Sequence, residues 1–566
     1  MTTAATALDR AQGKLRLDRD DLTVRWLIVG FALFFAIALV IPLYMMVSRS
    51  FFDRNGEFIG LANYREYFDT PALFLSIQNS FTVAGISTAI VIVLAFAYAY
   101  ALNRTCMRFK GFFKVIAMVP LLSPSLLKAI ALVYWFGKQG ILTDLLFGHS
   151  IYGPIGIVMA SVFWTFPHAV LIIGTALALS DSRLYEAAEV LKTSHTRIFL
   201  TITLPGARYG IISAVIVVFI LVLTDFGVPK VIGGSYNVMA TDIYKEVIGQ
   251  QNFEMGAVVS VILLIPAVIA FAIDRIVTRR SVALLSSRAV PYAPKPNWLV
   301  DNAMLVYCIT IAVLTLAILG MAQYAALVKF WPYNLELTLD HYSFEVQGAG
   351  WENFYNSLKV AASVALIGTF VIFIGAYVVE KPRRDPVARQ AIQMMALLPM
   401  AVPGLVLGLA YLMFINHPSN PLGFLYGTIT IIVLSTITHF YTVTHLTAAT
   451  ALKQMDREFE SVSASLKVPL ARSFRRVTMP VCMPAIFDIS IYLFLNSMTT
   501  VSAVIFLYGP GTKVASVAAI HLDDSGETAA AAAMAMLIVY ACIVVRVLHV
   551  IVTGRLLYRL QAWRRR

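Results

Sequence analysis

Apolar runs of about 20 residues or more alternate with short polar stretches along this chain, which is the pattern of helices that cross a bilayer. Roughly twelve such runs meet the criterion of about 20 residues per span. The first six cover residues 26–47, 79–102, 112–137, 151–178, 208–232 and 255–277. The second six cover 302–328, 354–380, 391–415, 424–449, 481–507 and 529–552. Between the two sets lies "TRRSVALLSSRAVPYAPKPNW", basic and rich enough in Pro to read as a linker. The expected architecture is all-α and polytopic. It has a polar N-terminal segment (1–25), a first six-helix unit (26–277), a linker (278–301), a second six-helix unit (302–553) and a basic tail (554–566). The first run is too long for a signal peptide and lacks a small-residue cleavage site, so it is expected to remain as a span.

Composition agrees with the pattern. The 566 residues are 59% hydrophobic and only 13% charged, with mean hydropathy +0.77, and a soluble globule has no surface on which to place so much apolar side chain. Cys106, Cys308, Cys482 and Cys542 are far apart and form no C-x-x-C pair, so they read as packing residues rather than a disulfide framework or metal site. The formal charge of +13 is a topology signal, because Lys and Arg concentrate in loops that stay in the cytoplasm. Arg10, Lys14, Arg16, Arg19 and Arg25 precede the first span, Arg104, Arg108, Lys110 and Lys114 follow the second, and Arg564, Arg565 and Arg566 end the chain. Both termini are therefore expected in the cytoplasm. The loops "LELTLDHYSFEVQGAGWE" and "HLDDSGE" fall outside, with Arg49 and Arg54 as exceptions. Basic residues scattered over loop ends do not make a nucleic-acid surface.

One cytoplasmic stretch, "LYEAAEVLKTSHTRIFLTITLP" at 184–205, is polar and helical in pattern between the fourth and fifth spans. A shift of 275 positions brings up "FESVSASLKVPLARSFRRVTMP" at 459–480, in the same place of the second set. Asp181, Leu191, Lys192, Arg197, Phe199, Thr203 and Pro205 meet Asp456, Leu466, Lys467, Arg472, Phe474, Thr478 and Pro480 without a gap. Asn79-Ser80 likewise repeats as Asn356-Ser357, and the pair Pro120 and Pro124 as Pro399 and Pro403. The chain reads as two tandem copies of one unit. An even number of spans per copy makes them parallel repeats about an axis along the membrane normal. Asp181 and Asp456 suit an N-cap, Glu186 favours the positive end of the helix dipole, and Leu184, Ala187, Ala188 and Leu191 recur on one face. In the second copy Pro469 should end the first short helix at Val468, with a second short helix leading to Pro480. A short amphipathic helix held out by two spans suits a groove on another protein. The competing reading is an interfacial helix on lipid headgroups, which the repetition weakens.

The stretch resembles the EAA loop of permease subunits of binding-protein-dependent ABC importers. Glu186-Ala187-Ala188 and Ile202-x-Leu204-Pro205 match its pattern. Two positions depart from it. The family Gly is Lys192, which is expected to remove a flexible joint, and Ser461-Val462-Ser463 stands in the second copy where the first has Glu-Ala-Ala. The organisation is similar to the fused permeases of ferric-iron and phosphonate importers, and "TDFGVPKVIGGSYNVMATDIYKEVIGQQNFEMGA" at 224–257 is similar to the 2-aminoethylphosphonate branch. The resemblance implies a bacterial inner-membrane permease that takes cargo from a periplasmic binding protein. Two copies of a cytosolic ABC ATPase, which carry the ATP and Mg, would grip Glu186, Ala187, Ala188, Leu191, Lys192 and Pro205 in one copy and Ser461, Leu466, Lys467 and Pro480 in the other. The chain itself is expected to bind no cofactor or metal. It has no G-x-x-x-x-G-K-[ST] phosphate loop, and its nine His residues form no catalytic constellation.

Ionisable groups inside spans are costly and so mark function. Lys128 falls near the middle of the third span, and Asp225 lies in the fifth, where Gly227 and Pro229 are expected to break the helix beside a watery cavity. The pathway residues read from the sequence are Lys128, Asp225, Pro124, Pro403 and Thr500; the alternative for the two charges is a structural tie, Asp225 pairing with Lys128 or Lys230. A fixed cation and a fixed anion suit a zwitterionic aminoethylphosphonate better than ferric iron, which prefers several oxygen ligands. Ferric iron is the alternative cargo. A twelve-span secondary transporter is a rival class, but "NRTCMRFKGFFK" lacks its D-R-x-G-R arrangement, and such carriers have no reason to repeat the loop after the fourth span. Reporter fusions at Lys110, at Lys192 and after Arg566 are expected to read cytoplasmic, and fusions at Tyr64 and Glu345 to read external. A cytoplasmic signal at Glu345 would contradict two six-span copies.

Overall fold

The computed structural model describes residues 19–179, 181–283, 290, 292–344, 350–381, 385–456 and 458–560. Arg10, Lys14, Arg16, Glu345, linker residues 284–289 and the Arg564–Arg566 tail lie outside them. Among the described residues nine helices are long and apolar enough to cross a membrane, and three bent pairs bring the number to twelve. The first unit comprises α1 (Asp20–Arg49), the amphipathic α2 (Ala62–Asp69), α3 (Pro71–Arg104), the bent pair α4 (Lys110–Leu122) and α5 (Ser125–Phe136), and α6 (Pro154–Ala178). It continues with the short α7 (Ser182–Val190), α8 (His195–Leu223), the short α9 (Gly227–Ile232) and α10 (Met239–Tyr244), and α11 (Phe253–Ala283). The second unit repeats the plan. It comprises α12 (Trp298–Leu327), α13 (Trp351–Glu380), α14 (Pro386–Ala401), α15 (Gly404–Ile415), α16 (Ile429–Lys453), α17 (Glu458–Ser465), α18 (Leu470–Val481), α19 (Met483–Thr499), α20 (Ala515–Asp524) and α21 (Thr528–Leu560). A hairpin of β1 (Val328–Phe330) and β2 (Asn334–Leu337) follows α12.

The third span of each copy is not the straight helix that its apolar run suggests. α4 and α5 meet at 99°, and α14 and α15 at 110°. Proline chemistry accounts for both bends. Pro120 and Pro124, like Pro399 and Pro403, donate no backbone hydrogen bond, so the ladder lapses and each helix restarts with a proline at its N-cap. The fifth span also departs from expectation. α8 starts in the cytoplasmic loop at His195 and stops at Leu223, short of 232, and its counterpart is bent by 75° between α18 and α19 and stops at Thr499, short of 507. Gly227 and Pro229 do not break α8. They lie in the first turn of α9, where a missing N–H costs nothing, and the interruption is at residues 224–226. Pro205 and Pro480 each follow one widened π turn, Phe199–Thr203 and Phe474–Thr478, which absorbs the proline without stopping the helix.

The first span of each unit packs on the other unit. α1 lies against α13, α14 and α15, and α12 lies against α3 and α5. Tyr411 in α15 donates to the Ala38 carbonyl of α1 at 2.6 Å, and Tyr307 in α12 donates to the Leu94 carbonyl of α3 at 2.7 Å. These two carbonyls sit in helices and take a second hydrogen bond from a ring hydroxyl that lipid could not otherwise satisfy. Where α1 crosses α13, Gly375 leaves room for Phe31 and Tyr441, and an added Cβ would lie 2.9 Å from the Phe31 ring. Gly375→Leu should therefore overpack the crossing at a cost of about 1–3 kcal/mol and lower the melting temperature in detergent by several degrees. Gly320→Leu, at a position with open space around it, should leave that temperature nearly unchanged.

Candidate functional site

Where the bends of the two copies face one another they enclose a cavity of about 380 Å³. Its wall combines the first turns of α5, α9 and α15 with α6, α11, α16 and α19. Pro124, Asp225, Pro403 and Thr500, all expected from the sequence, are on this wall. Asp225 belongs to the interruption after α8, where its carboxylate accepts the Val228 N–H at 3.0 Å and the Ser125 hydroxyl at 3.1 Å. It thereby joins the starts of α5 and α9, and the N–H groups of a helix's first turn have no partner within the helix.

Lys128, by contrast, is not on the wall. Its side chain is buried, and its ammonium donates to the carbonyls of Ser123 at 2.7 Å, Pro120 at 2.9 Å and Pro124 at 3.2 Å. The Pro124 carbonyl also accepts the Leu127 N–H at 3.2 Å and the Pro120 carbonyl the Ser123 hydroxyl at 3.1 Å, so the lysine adds its ammonium to the carbonyls of the bend rather than facing the cavity. The corresponding Leu407 is buried in α15. Nor does Lys230 tie Asp225: it pairs with Asp524 of α20 at 2.9 Å, which links the two units.

Several lining residues escaped the sequence reading. Trp164 and His168 lie one turn apart on α6, with rings 5.7 Å apart, and His439, Tyr492, Asn496 and Asp274 complete the polar wall. Their signal was a polar or amphipathic residue on one face of an otherwise apolar span, but which face points inward depends on the packing of neighbouring helices. Asp274 accepts the Ser213 hydroxyl at 2.6 Å.

The loops that precede the two fifth spans fold alike. Asp181 accepts the Arg183 N–H at 3.1 Å and Asp456 the Glu458 N–H at 3.0 Å, so both act as helix caps. At the C-terminus of α7, Lys192 has φ +50° and Lys467, after α17, has φ +51°. Thr193 N–H reaches the Ala188 carbonyl at 3.0 Å and Lys192 N–H the Glu189 carbonyl at 2.9 Å, the paired bonds of a left-handed helix stop. The left-handed turn is kept, with lysine in a conformation that glycine adopts more cheaply. The α17 helix ends at Ser465, before Val468, and Pro469 caps the next helix.

The apolar face also divides differently from expectation. Ala188 turns inward with Tyr185, whereas Leu184, Ala187 and Leu191 point outward, Leu191 being 77% exposed. Glu186 is exposed beside them and accepts the Ser182 hydroxyl at 3.1 Å. Ser461, Leu466 and Lys467 are exposed on the second loop, next to a groove of about 600 Å³ lined by Phe459, Val462, Leu466 and Arg476. Pro205 is exposed and Pro480 partly so, each at the foot of its fifth span.

Comparison with known proteins agrees with this two-unit arrangement. The family described as binding-protein-dependent transport system inner membrane component matches the chain twice, over residues 92–282 and 372–558. A Haemophilus influenzae protein named as permease FbpB 1 of a ferric transport system is 28% identical over 77% of this chain and 71% of its own length. The ferric transport system permease protein FbpB of Actinobacillus pleuropneumoniae is 24% identical over 94% of this chain and 78% of its own length. A chain of a bacterial ABC transporter involved in alginate import is 16% identical and covers 47% of this chain and 97% of its own, with a TM-score of 0.40. With the family unit present in both halves, bent spans facing across a shared cavity and a helix repeated in the loop before each fifth span, the chain belongs to the binding-protein-dependent transport family as a fused, two-unit inner-membrane permease subunit of an ABC importer.

Proposed function

We propose that this permease, with both termini in the cytoplasm, passes 2-aminoethylphosphonate or a related phosphonate from a periplasmic binding protein through the cavity, driven by two cytosolic ABC ATPases docked on α7 and α17. The observation that carries the cargo reading is the juxtaposition of the Asp225 carboxylate with the first turns of α5, α9 and α15. Asp225 already engages the starts of α5 and α9, so its carboxylate favours an ammonium there while the start of α15 favours an anion, which gives the wall complementary places for the two ends of a small zwitterion. The lysine that the sequence suggested for the phosphonate end is occupied elsewhere, and the helix starts take over that role.

The names of the FbpB relatives favour ferric iron as a second reading. A hard trivalent cation calls for several oxygen ligands at once. Among the described residues no three His, Cys, Asp or Glu side chains are close enough to hold a metal ion, which is why the phosphonate reading is preferred. Docking of ATPases is supported by the exposed Leu184, Ala187 and Leu191 on α7 and by the groove beside α17.

Two outcomes test these statements. Glu186→Lys combined with Leu191→Asp should abolish co-purification of the ATPase at ordinary salt; retention would argue against docking on α7. In a strain lacking other phosphonate importers, the chain and its partners should restore growth on 2-aminoethylphosphonate. Asp225→Asn, which keeps the hydrogen-bonding shape, should reduce uptake at least tenfold while leaving the protein in the membrane. Restored iron uptake with no phosphonate uptake would establish the second reading.

A further inference from the structure

The linker between the units does not hang free of them. Val290 and residues 292–297 lie along the first cytoplasmic loop. The Ser182 N–H donates to the Val290 carbonyl at 2.9 Å, and the Val290 N–H to the Asp181 carboxylate at 3.4 Å, so the linker engages the cap of α7. The Tyr292 ring packs on Tyr185 of α7 at 4.4 Å between centroids. The guanidinium of Arg104, from the cytoplasmic end of α3, lies over both rings at 4.5 Å from Tyr292 and 5.0 Å from Tyr185, and donates to the Leu177 carbonyl at 2.8 Å. Arg104 and Tyr185 are both buried, so this stack is shielded from water and retains the attraction between a cation and aromatic faces. Lys295 completes the contact by pairing with Glu189 at 2.5 Å, and that hydrogen bond raises the lysine above its ordinary pKa. Exposed as it is, the pair adds register more than strength.

The other end of the segment is equally held. The Asp301 carboxylate in the first turn of α12 accepts the Cys106 N–H at 2.7 Å and the Asn297 N–H at 3.0 Å, and the Cys106 thiol meets the Pro294 carbonyl at 3.2 Å. From there α12 runs across the first unit to α5, where Trp135 donates to its Ala317 carbonyl at 3.3 Å. The first turn of α5 forms part of the cavity wall. A related contact exists at the other repeat. Asp20, at the start of α1, accepts the Leu470 N–H of the second cytoplasmic loop at 2.8 Å, and Arg25 pairs with Asp385 at 3.3 Å. In both copies the segment that leads into a first span grips the cytoplasmic face of the other unit.

We propose that Val290 and residues 292–297 form a strap that fastens α7 to α12, so that displacement of the first docking helix is carried through the linker and the crossed span to the cavity wall. This inference rests on the docking of an ATPase at α7, and adds a second route of coupling beside the direct connection of α7 to α6 and α8. Tyr292, Lys295 and Arg104 act here as positioning residues. They touch neither cargo nor, on this geometry, the outward-facing Leu184, Ala187 and Leu191.

The test begins with the purified full-length chain alone, where ATPase docking plays no part. In Tyr292→Ala/Lys295→Glu, amide hydrogen exchange over 182–193 should quicken at least tenfold, while Tyr292→Phe/Lys295→Arg should exchange like the parent. The same chains are then reconstituted with the ATPase and binding protein in liposomes. The Ala/Glu variant should retain the ATPase but transport at least threefold less cargo per ATP hydrolysed, and the charge exchange Glu189→Lys/Lys295→Glu should recover part of that ratio relative to Lys295→Glu alone. Unchanged exchange over 182–193 overturns the strap, and unchanged transport per ATP overturns its coupling role. Failure of the parent chain to retain any ATPase would instead refute the docking on which the inference rests.

Discussion

In the hydrocarbon of a bilayer a carbonyl without a donor is costly, so a span can be broken only where something else in the protein supplies the missing hydrogen bond. At the bend between α4 and α5 the ammonium of Lys128 reaches the carbonyls of Pro120, Ser123 and Pro124 together, beside the Ser123 hydroxyl on Pro120 and the Leu127 N–H on Pro124. Much else depends on the bend. Turning the chain by 99° brings the start of α5 to the cavity wall, places Ser125 where it can donate to Asp225, and leaves the α5 body free to receive α12 from the other unit. The second copy makes a similar bend of 110° without a lysine. There Leu407 occupies the corresponding place, Val402 N–H reaches the Pro399 carbonyl at 3.2 Å, and Gly404 and Gly408 allow residues 502–503 to pack closely.

The cavity wall has an asymmetry of its own that a pair of identical units would lack. Asp225 and its hydrogen bonds belong to one side, whereas the facing position, Thr500, has a hydroxyl and no charge. An asymmetric wall can orient an asymmetric cargo, since a two-fold wall would present the same chemistry to both of its ends. The two loop helices are unequal too. Glu186 is exposed on α7 where α17 has Ser461, and linker residue Tyr292 meets α7 through a buried guanidinium and two rings.

The first spans are crossed between the units. α1 and α12 each lie against the opposite unit, and both fall outside the stretches of chain, 92–282 and 372–558, that the family unit matches. The residues that line the cavity all fall within those two stretches, and the crossed spans brace them from outside. Because α12 begins where the linker ends, the covalent connection between the units and the brace that holds them are continuous.

From the sequence alone, the apolar runs determined how many spans there are, and the repeat at an offset of 275 showed that they form two copies with a helix in each cytoplasmic loop. These are local properties, because span length follows bilayer thickness and caps such as Asp181 act within a few residues. Of the five residues expected on the pathway, four line the cavity: Pro124, Pro403 and Asp225 could be named because prolines and an isolated carboxylate are conspicuous in an apolar run, and Thr500 because it corresponds to Asp225 in the repeat. The role of Lys128 could not be read this way. Whether a charge faces a cavity or a set of carbonyls depends on the direction in which a bent helix restarts, and hydropathy does not encode that direction. Likewise Lys192 looked like the loss of a glycine joint, since residue type reports the cost of a left-handed turn but not whether the fold meets it. The crossing of α1 and α12, the inward face of α6 and the linker laid on α7 were decided only by tertiary structure, because each is a choice of partner among apolar surfaces that look alike along the chain.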